Sequence, residues 1–165
     1  MFSCKNFKQG FSATLAAAFV AVLLPGLTHV YRADMKNFED AKASCDQMGA
    51  RLAVANSETE VKLIGNLAKY SESSFQYAFV GRFFDNTNWV PADPLIYFTG
   101  TLLANSGWVG WRAGEPNQAS YTMPNCTQGK ESCYVTDNSG LHNDISCESQ
   151  YPYICEFYRK PCVKP

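Results

Sequence analysis

Glu115-Pro116-Asn117 is followed by Glu131-Ser132-Cys133 and then by Asn143-Asp144-Ile145-Ser146-Cys147. The side chains of Glu115, Asn117, Glu131, Asn143 and Asp144 offer hard oxygens and nothing redox-active or nucleophilic. Hard oxygens suit calcium, which takes about six to eight of them in a flexible geometry. Carboxylates accept hydrogen bonds, while the amide nitrogen of asparagine donates them. An ion ringed by both can hold two neighbouring hydroxyls of a sugar. Each hydroxyl would bind the ion, donate to a carboxylate and accept from an amide. The pattern points to calcium-dependent sugar binding.

The chain has 165 residues, enough for one domain, and is 46% hydrophobic and 14% aromatic, so a core is available. Basic and acidic residues nearly balance, at 14 against 15, with no basic run to track phosphates, which argues against nucleic acid as a partner. Lys5 and Lys8 precede an apolar stretch from Phe11 to Leu24, which Pro25-Gly26 breaks. The stretch falls short of the roughly 20 apolar residues of a membrane span. It reads as a secretory signal peptide over residues 1–28, cut between Gly26 and His29. A domain over 29–159 and a short tail over 160–165 follow, and the protein is expected to be secreted and extracellular. Of the seven cysteines, Cys4 lies in the leader, and the even number left over suits disulfides in an oxidising compartment. There is no C-x-x-C, and His29 and His142 are far apart in sequence, so structural zinc is not expected.

Asn37 can cap a helix from about Phe38 to Met48, ended by Gly49, with Phe38, Ala41, Cys45 and Met48 on one face. Ser57 and Glu60 form a capping box for a second helix ending near Lys69, with Val61, Ile64 and Leu67 or Ala68 as its buried stripe. A strand is expected over roughly Phe75 to Phe83. From Phe84 to Ser132 the chain is rich in Asn, Pro, Gly and Asp, a composition that makes turns. Trp89, Trp108 and Trp111 argue that this long loop is packed. Short strands follow at Cys133–Thr136, Leu141–Ile145 and Tyr153–Tyr158, the first two joined by a turn at Asp137-Asn138-Ser139-Gly140. The pattern is α+β, with two helices early, antiparallel strands late and a long loop between.

From Val30 to Tyr158 the chain resembles the C-type lectin domain family. Phe79-Val80-Gly81-Arg82 stands where that family has its Trp-Ile-Gly-Leu core motif. Trp111-Arg112-Ala113-Gly114-Glu115-Pro116-Asn117 matches its mannose-type loop. Cys133, Asn143-Asp144, Cys147 and Cys155-Glu156 follow in the family's order and spacing. The lack of a stalk or extra modules is similar to small secreted lectins of invertebrates.

The resemblance implies a disulfide-stapled C-type lectin-like fold, with Cys45 joined to Cys155 and Cys133 to Cys147. It implies that Glu115, Asn117, Glu131, Asn143 and Asp144 hold one principal Ca2+ and also contact the carbohydrate. Asp144 would give both carboxylate and backbone carbonyl, and Pro116 would be cis. The Glu-then-Asn order implies mannose, fucose or N-acetylglucosamine on microbial or cell surfaces, in innate immune recognition or host-surface interaction. Extracellular calcium modules of this kind bind with Kd on the order of 10⁻⁴–10⁻³ M. Glu131 is carried over by its place two residues before Cys133, because the stretch from Asn117 to Glu131 is longer than in compact members. Gln118 and Ser132 stand where an auxiliary ion would want carboxylates. His142 replaces the family's Trp before Asn-Asp. That loss of an apolar body is expected to loosen the hairpin, and a protonated His142 near the ion would oppose calcium.

No chemistry is expected of the chain. No histidine adjoins a candidate nucleophile, and the cysteines are bound for disulfides. The alternative is a calcium-independent module of the same fold that binds a protein receptor, as a venom or immune-modulating factor. Cys126 and Cys162 remain after the two bridges; they pair with each other, or one of them links a homodimer. Asn125-Cys126-Thr127 fits the glycosylation pattern.

Overall fold

A computed structural model describes residues 19–24, 27–55, 57–71, 76–84, 89–91, 110–122 and 128–158, with side chains left out at 19–28, 83–84, 89–91, 121–122, 128 and 158. Trp108, Asn125, Cys126, Cys162 and Cys4 lie outside the described residues, as does the side chain of Trp89.

Local signals set both helices. The Asn37 side chain accepts the Asp40 N–H at 2.9 Å and opens α1 (Phe38–Gln47). Gly49, with φ 70°, takes the left-handed conformation that ends it. Phe38, Ala41 and Cys45 line its buried face. Ser57 accepts the Glu60 N–H at the start of α2 (Glu58–Ala68). Ile64, Leu67 and Ala68 face the core, while Val61 is half-buried.

The strands are β1 (Phe19–Leu24), β2 (Leu27–Lys36), β3 (Arg51–Leu52), β4 (Ala78–Phe84), β5 (Trp89–Pro91), β6 (Ser120–Thr122), β7 (Gln128–Lys130), β8 (Cys133–Thr136), β9 (His142–Ile145) and β10 (Tyr151–Tyr158). The main sheet runs β1-β2-β10-β4-β8-β9, with β3 also on β10 and β5 on β4, while β6 and β7 form a separate ribbon. β10 and β4 pair in parallel, bringing the last strand back beside the middle of the chain. The expected strand from Phe75 begins at Ala78, because Gln76 sits in the left-handed region with φ 53°. Leu141 belongs to the turn rather than to β9. Phe19–Leu24, placed in the leader by composition, forms the edge strand on β2. β10 holds the opposite edge of β2, so losing β1 takes away one of two partners.

The core has two halves. Phe38, Phe79, Val135 and Tyr153 pack between α1 and the sheet, with Phe38 edge-on to Phe79 at 5.6 Å. Ile64, Leu67, Val80, Tyr134 and Ile154 pack under α2. Disulfides join Cys45 to Cys155 and Cys133 to Cys147.

One contact ties α2 to the site end of the sheet. A Cβ on Gly65 would lie 2.5 Å from the Gly140 nitrogen. One on Gly140, where φ is 84°, would lie 2.8 Å from the Val61 carbonyl oxygen. Backbone cannot yield as the tip of a side chain does. Gly65→Ala is therefore expected to destabilise by about 1–3 kcal/mol, although alanine is the better helix former by about 1 kcal/mol. A urea titration that showed a gain would mean the two backbones are not in contact.

Candidate metal centre

The site is built on the outer edge of β9. The Asp137 carboxylate accepts the N–H groups of Ser139 at 2.8 Å and Leu141 at 3.0 Å, which fixes the turn between β8 and β9. The resulting register sets Val135 opposite Asn143 and Tyr134 opposite Asp144. At His142 the backbone bonds outward: its N–H donates to Gly110 O at 2.7 Å, and its carbonyl accepts the Arg112 N–H at 2.9 Å. Hydrogen-bonding direction alternates along an antiparallel strand. Asp144, two residues on, therefore presents its carbonyl to the same outer edge.

The segment after Arg112 folds along that edge. Glu115 N–H closes a turn onto Arg112 O at 3.0 Å, with Gly114 at φ 91°. The Glu115–Pro116 bond is cis. The Asp144 carboxylate is buried, and it receives this segment with both oxygens. One accepts the Asn117 N–H at 3.1 Å, the other the Gln118 N–H at 2.6 Å. Asn117 bridges its neighbours: Nδ2 donates to Glu115 Oε2 at 2.6 Å, and Oδ1 accepts the Ala119 N–H at 2.7 Å. Glu131 arrives through the ribbon. Its N–H donates to Ala119 O at 3.0 Å, and the next N–H, of Ser132, donates to Ile145 O at 3.1 Å.

The three carboxyls thus lie within range of one another's charge. Burial raises Glu115 above the ordinary carboxylate range, and the neighbouring Asp144 carboxyl raises it further, while the Asn117 donors work the other way. Burial also raises Glu131, helped by the charges of Asp144 and Glu115 and opposed by the Ala119 N–H. The side-chain oxygen of Asn143 is buried and accepts no hydrogen bond. Crowded carboxyls and an unused amide oxygen are what a divalent cation relieves. Among the described residues no three His, Cys, Asp or Glu side chains converge to hold a metal by themselves. An ion held here would need the asparagine amides as well, which suits a cation that accepts neutral oxygens. The structure therefore brings Glu115, Asn117, Glu131 and Asp144 into mutual contact or charge range, with Asn143 on the same strand as Asp144.

Two features escaped the sequence. Gln118, considered only as a missing carboxylate, adopts φ 48° so that its N–H meets Asp144. Ala119 contributes only backbone groups, which no side-chain motif could signal. Asp144→Ala would strip the acceptor from two backbone donors. In EDTA it is expected to cost about 2 kcal/mol of stability, read by urea denaturation. An unchanged midpoint would mean the loop is held by something else.

His142, standing where the family has Trp, is a buried ring beneath the hairpin. It is 5% exposed and packs 5.0 Å from the Tyr134 ring, which Trp111 meets from 4.6 Å. Its ring lines a small cavity with Val54, Ile64, Val80 and Arg82. Burial first, and then the charge of Arg82, pushes its pKa down to about 4. The imidazole is thus neutral at physiological pH and does not set its charge against an ion.

The family model of the lectin C-type domain matches residues 34–157 of the chain. A hemolymph lipopolysaccharide-binding protein of Periplaneta americana is 29% identical over 126 residues, covering 73% of this chain and 45% of that protein. A phospholipase A2 inhibitor A4/A5 of Crotalus durissus terrificus is 26% identical over 132 residues, covering 79% of this chain and 58% of the inhibitor. The chain thus spans roughly half the length of these relatives. The crystal structure of human lithostathine superposes with a TM-score of 0.65 at 17% identity, covering 92% of this chain and all of that one, a likeness of fold.

Proposed function

The chain belongs to the C-type lectin domain family, and on that premise we propose that it is a secreted, calcium-dependent lectin for mannose-type glycans on microbial or cell surfaces. The observation that carries this reading is the buried, unpartnered Oδ1 of Asn143 on the strand of Asp144, whose carboxyl crowds those of Glu115 and Glu131. Glu115, Asn117, Glu131, Asn143 and Asp144 would hold the ion, and Asp144 has a carboxylate and an outward carbonyl to offer. Bound calcium supplies open coordination positions for vicinal hydroxyls. The chain's own residues do the selecting. Glu115 and Glu131 accept hydrogen bonds from the sugar, and the Asn117 and Asn143 amides donate them. Residues 1–28 are proposed to leave as the signal peptide. Among the described residues no helix is long and apolar enough to cross a membrane. Domains of this family generally bind rather than catalyse.

Mannose-agarose is the direct trial. The protein is expected to be retained with calcium and released by EDTA. The double variant Glu115→Gln/Asn117→Asp, which reverses acceptor and donor, is expected to lose retention. Retention that ignores EDTA would count against the calcium reading, and a protein not retained even with calcium would favour a second reading, in which the domain binds a protein without calcium. Two observations support that alternative. Asn117 Oδ1 and both Asp144 oxygens are already engaged by backbone N–H groups, so the loop holds its shape without an ion. A relative at 26% identity is a phospholipase A2 inhibitor.

A further inference from the structure

The stretch between Asn117 and Glu131 does more than lengthen a loop. Ala119 N–H donates to Asn117 Oδ1 at 2.7 Å and also faces the Glu131 carboxyl. Ala119 O accepts the Glu131 N–H at 3.0 Å. A single residue thus touches two of the proposed ion ligands. Beyond it the ribbon pairs Ser120 with Lys130, Tyr121 with Gly129 and Thr122 with Gln128. Since the bond from Glu131 to Ala119 is the first rung, alternation makes Tyr121 and Gly129 the next hydrogen-bonded pair. On the far side, Ser132 N–H binds Ile145 O next to Asp144, so Glu131 is tied on both flanks.

Resting on the calcium reading above, we propose that the β6–β7 ribbon is a positioning element of the ion site. Its pairing holds Ala119 where one residue fixes Asn117 and Glu131 relative to each other. Without the ribbon, Glu131 would sit at the end of a free loop, and ion uptake would have to order that loop. With it, the ordering cost is met on folding. Coupling of this kind is reciprocal, so ion uptake must in turn stabilise the ribbon. Ala119, Tyr121 and Gly129 act through the ligands and need not touch the ion.

The test uses the full secreted chain and calcium itself as the probe. Gly129→Pro and Tyr121→Pro each remove one ladder N–H from opposite strands of the ribbon. Each is expected to weaken calcium binding by about tenfold, the size of effect usual for groups that orient metal ligands. The melting temperature in EDTA should stay near that of wild type. In wild type, calcium should slow hydrogen exchange at the amides of Tyr121, Gly129 and Glu131. In each variant that protection should be lost at the amides that remain, Glu131 among them. Unchanged calcium affinity in both variants overturns the proposal, as does a wild type that binds calcium with no change in ribbon exchange. Should the variants melt much earlier in EDTA, the wild-type exchange comparison decides alone. A wild type that takes up no calcium overturns the lectin reading and this proposal with it, an outcome distinct from the other two.

Discussion

Replacing Cys45 and Cys155 together with alanine is expected to remove about 5 kcal/mol of stability. The two are 110 residues apart in sequence, on α1 and β10, and both are fully buried. Loop-closure entropy grows with the logarithm of the loop, so this bridge restricts the unfolded chain more than the Cys133–Cys147 bridge, whose separation is 14 and whose expected contribution is about 3 kcal/mol. A domain of this size has roughly 5–15 kcal/mol in total. Loss of the longer bridge therefore takes the protein close to its folding threshold. Urea denaturation of the double variant would read the effect. A loss below about 2 kcal/mol would mean that the unfolded chain is already compact around this pair. The shorter bridge should matter less to stability and more to the site, because it brackets Asn143 and Asp144.

The second large effect is an acid transition governed by histidine. The folded pKa of His142 is about 4, against an ordinary value of 6.5. Below pH 6.5 the unfolded chain takes up the proton before the folded one does. The contribution of neutral His142 is thus complete above pH 6.5 and is lost progressively as pH falls towards 4. Integrated over that window it is on the order of 3 kcal/mol. His29, also buried and shifted down by desolvation, acts in the same direction. Glu115 and Glu131 act in the opposite one, because their raised folded pKa lets the native state bind protons first. A comparison of wild type with His142→Phe in EDTA isolates the histidine. The stability lost between pH 7 and pH 4.5 should shrink by roughly 2–3 kcal/mol in the variant. Equal losses in both proteins would show that the buried imidazole is not the group that titrates.

Much of the fold was legible because its signals are local. Asn37, Gly49 and Ser57 each act on residues within a few positions, through caps and a left-handed turn, and both helices lie where those signals put them. The turn at Asp137–Gly140 is equally local, since the Asp137 carboxylate binds groups two and four residues ahead. The start of β4 was not legible, because nothing in the sequence around Gln76 demands a left-handed residue there. The ribbon was not anticipated at all. Its strands are three residues each, too short for a period-two pattern to stand out.

The sequence alone determined the donor set: two glutamates, two asparagines and an aspartate, ordered around a proline and framed by cysteines. Only the tertiary structure decided how those donors are used. It turned Asp144 into the acceptor that holds residues 117 and 118, brought Glu131 back to Asn117 through Ala119, and sealed His142 in its neutral form. Residue type fixes which atoms can ligate, donate or titrate. Which of them meet, and how dry their meeting place is, depends on backbone bonds and burial between segments far apart in the chain.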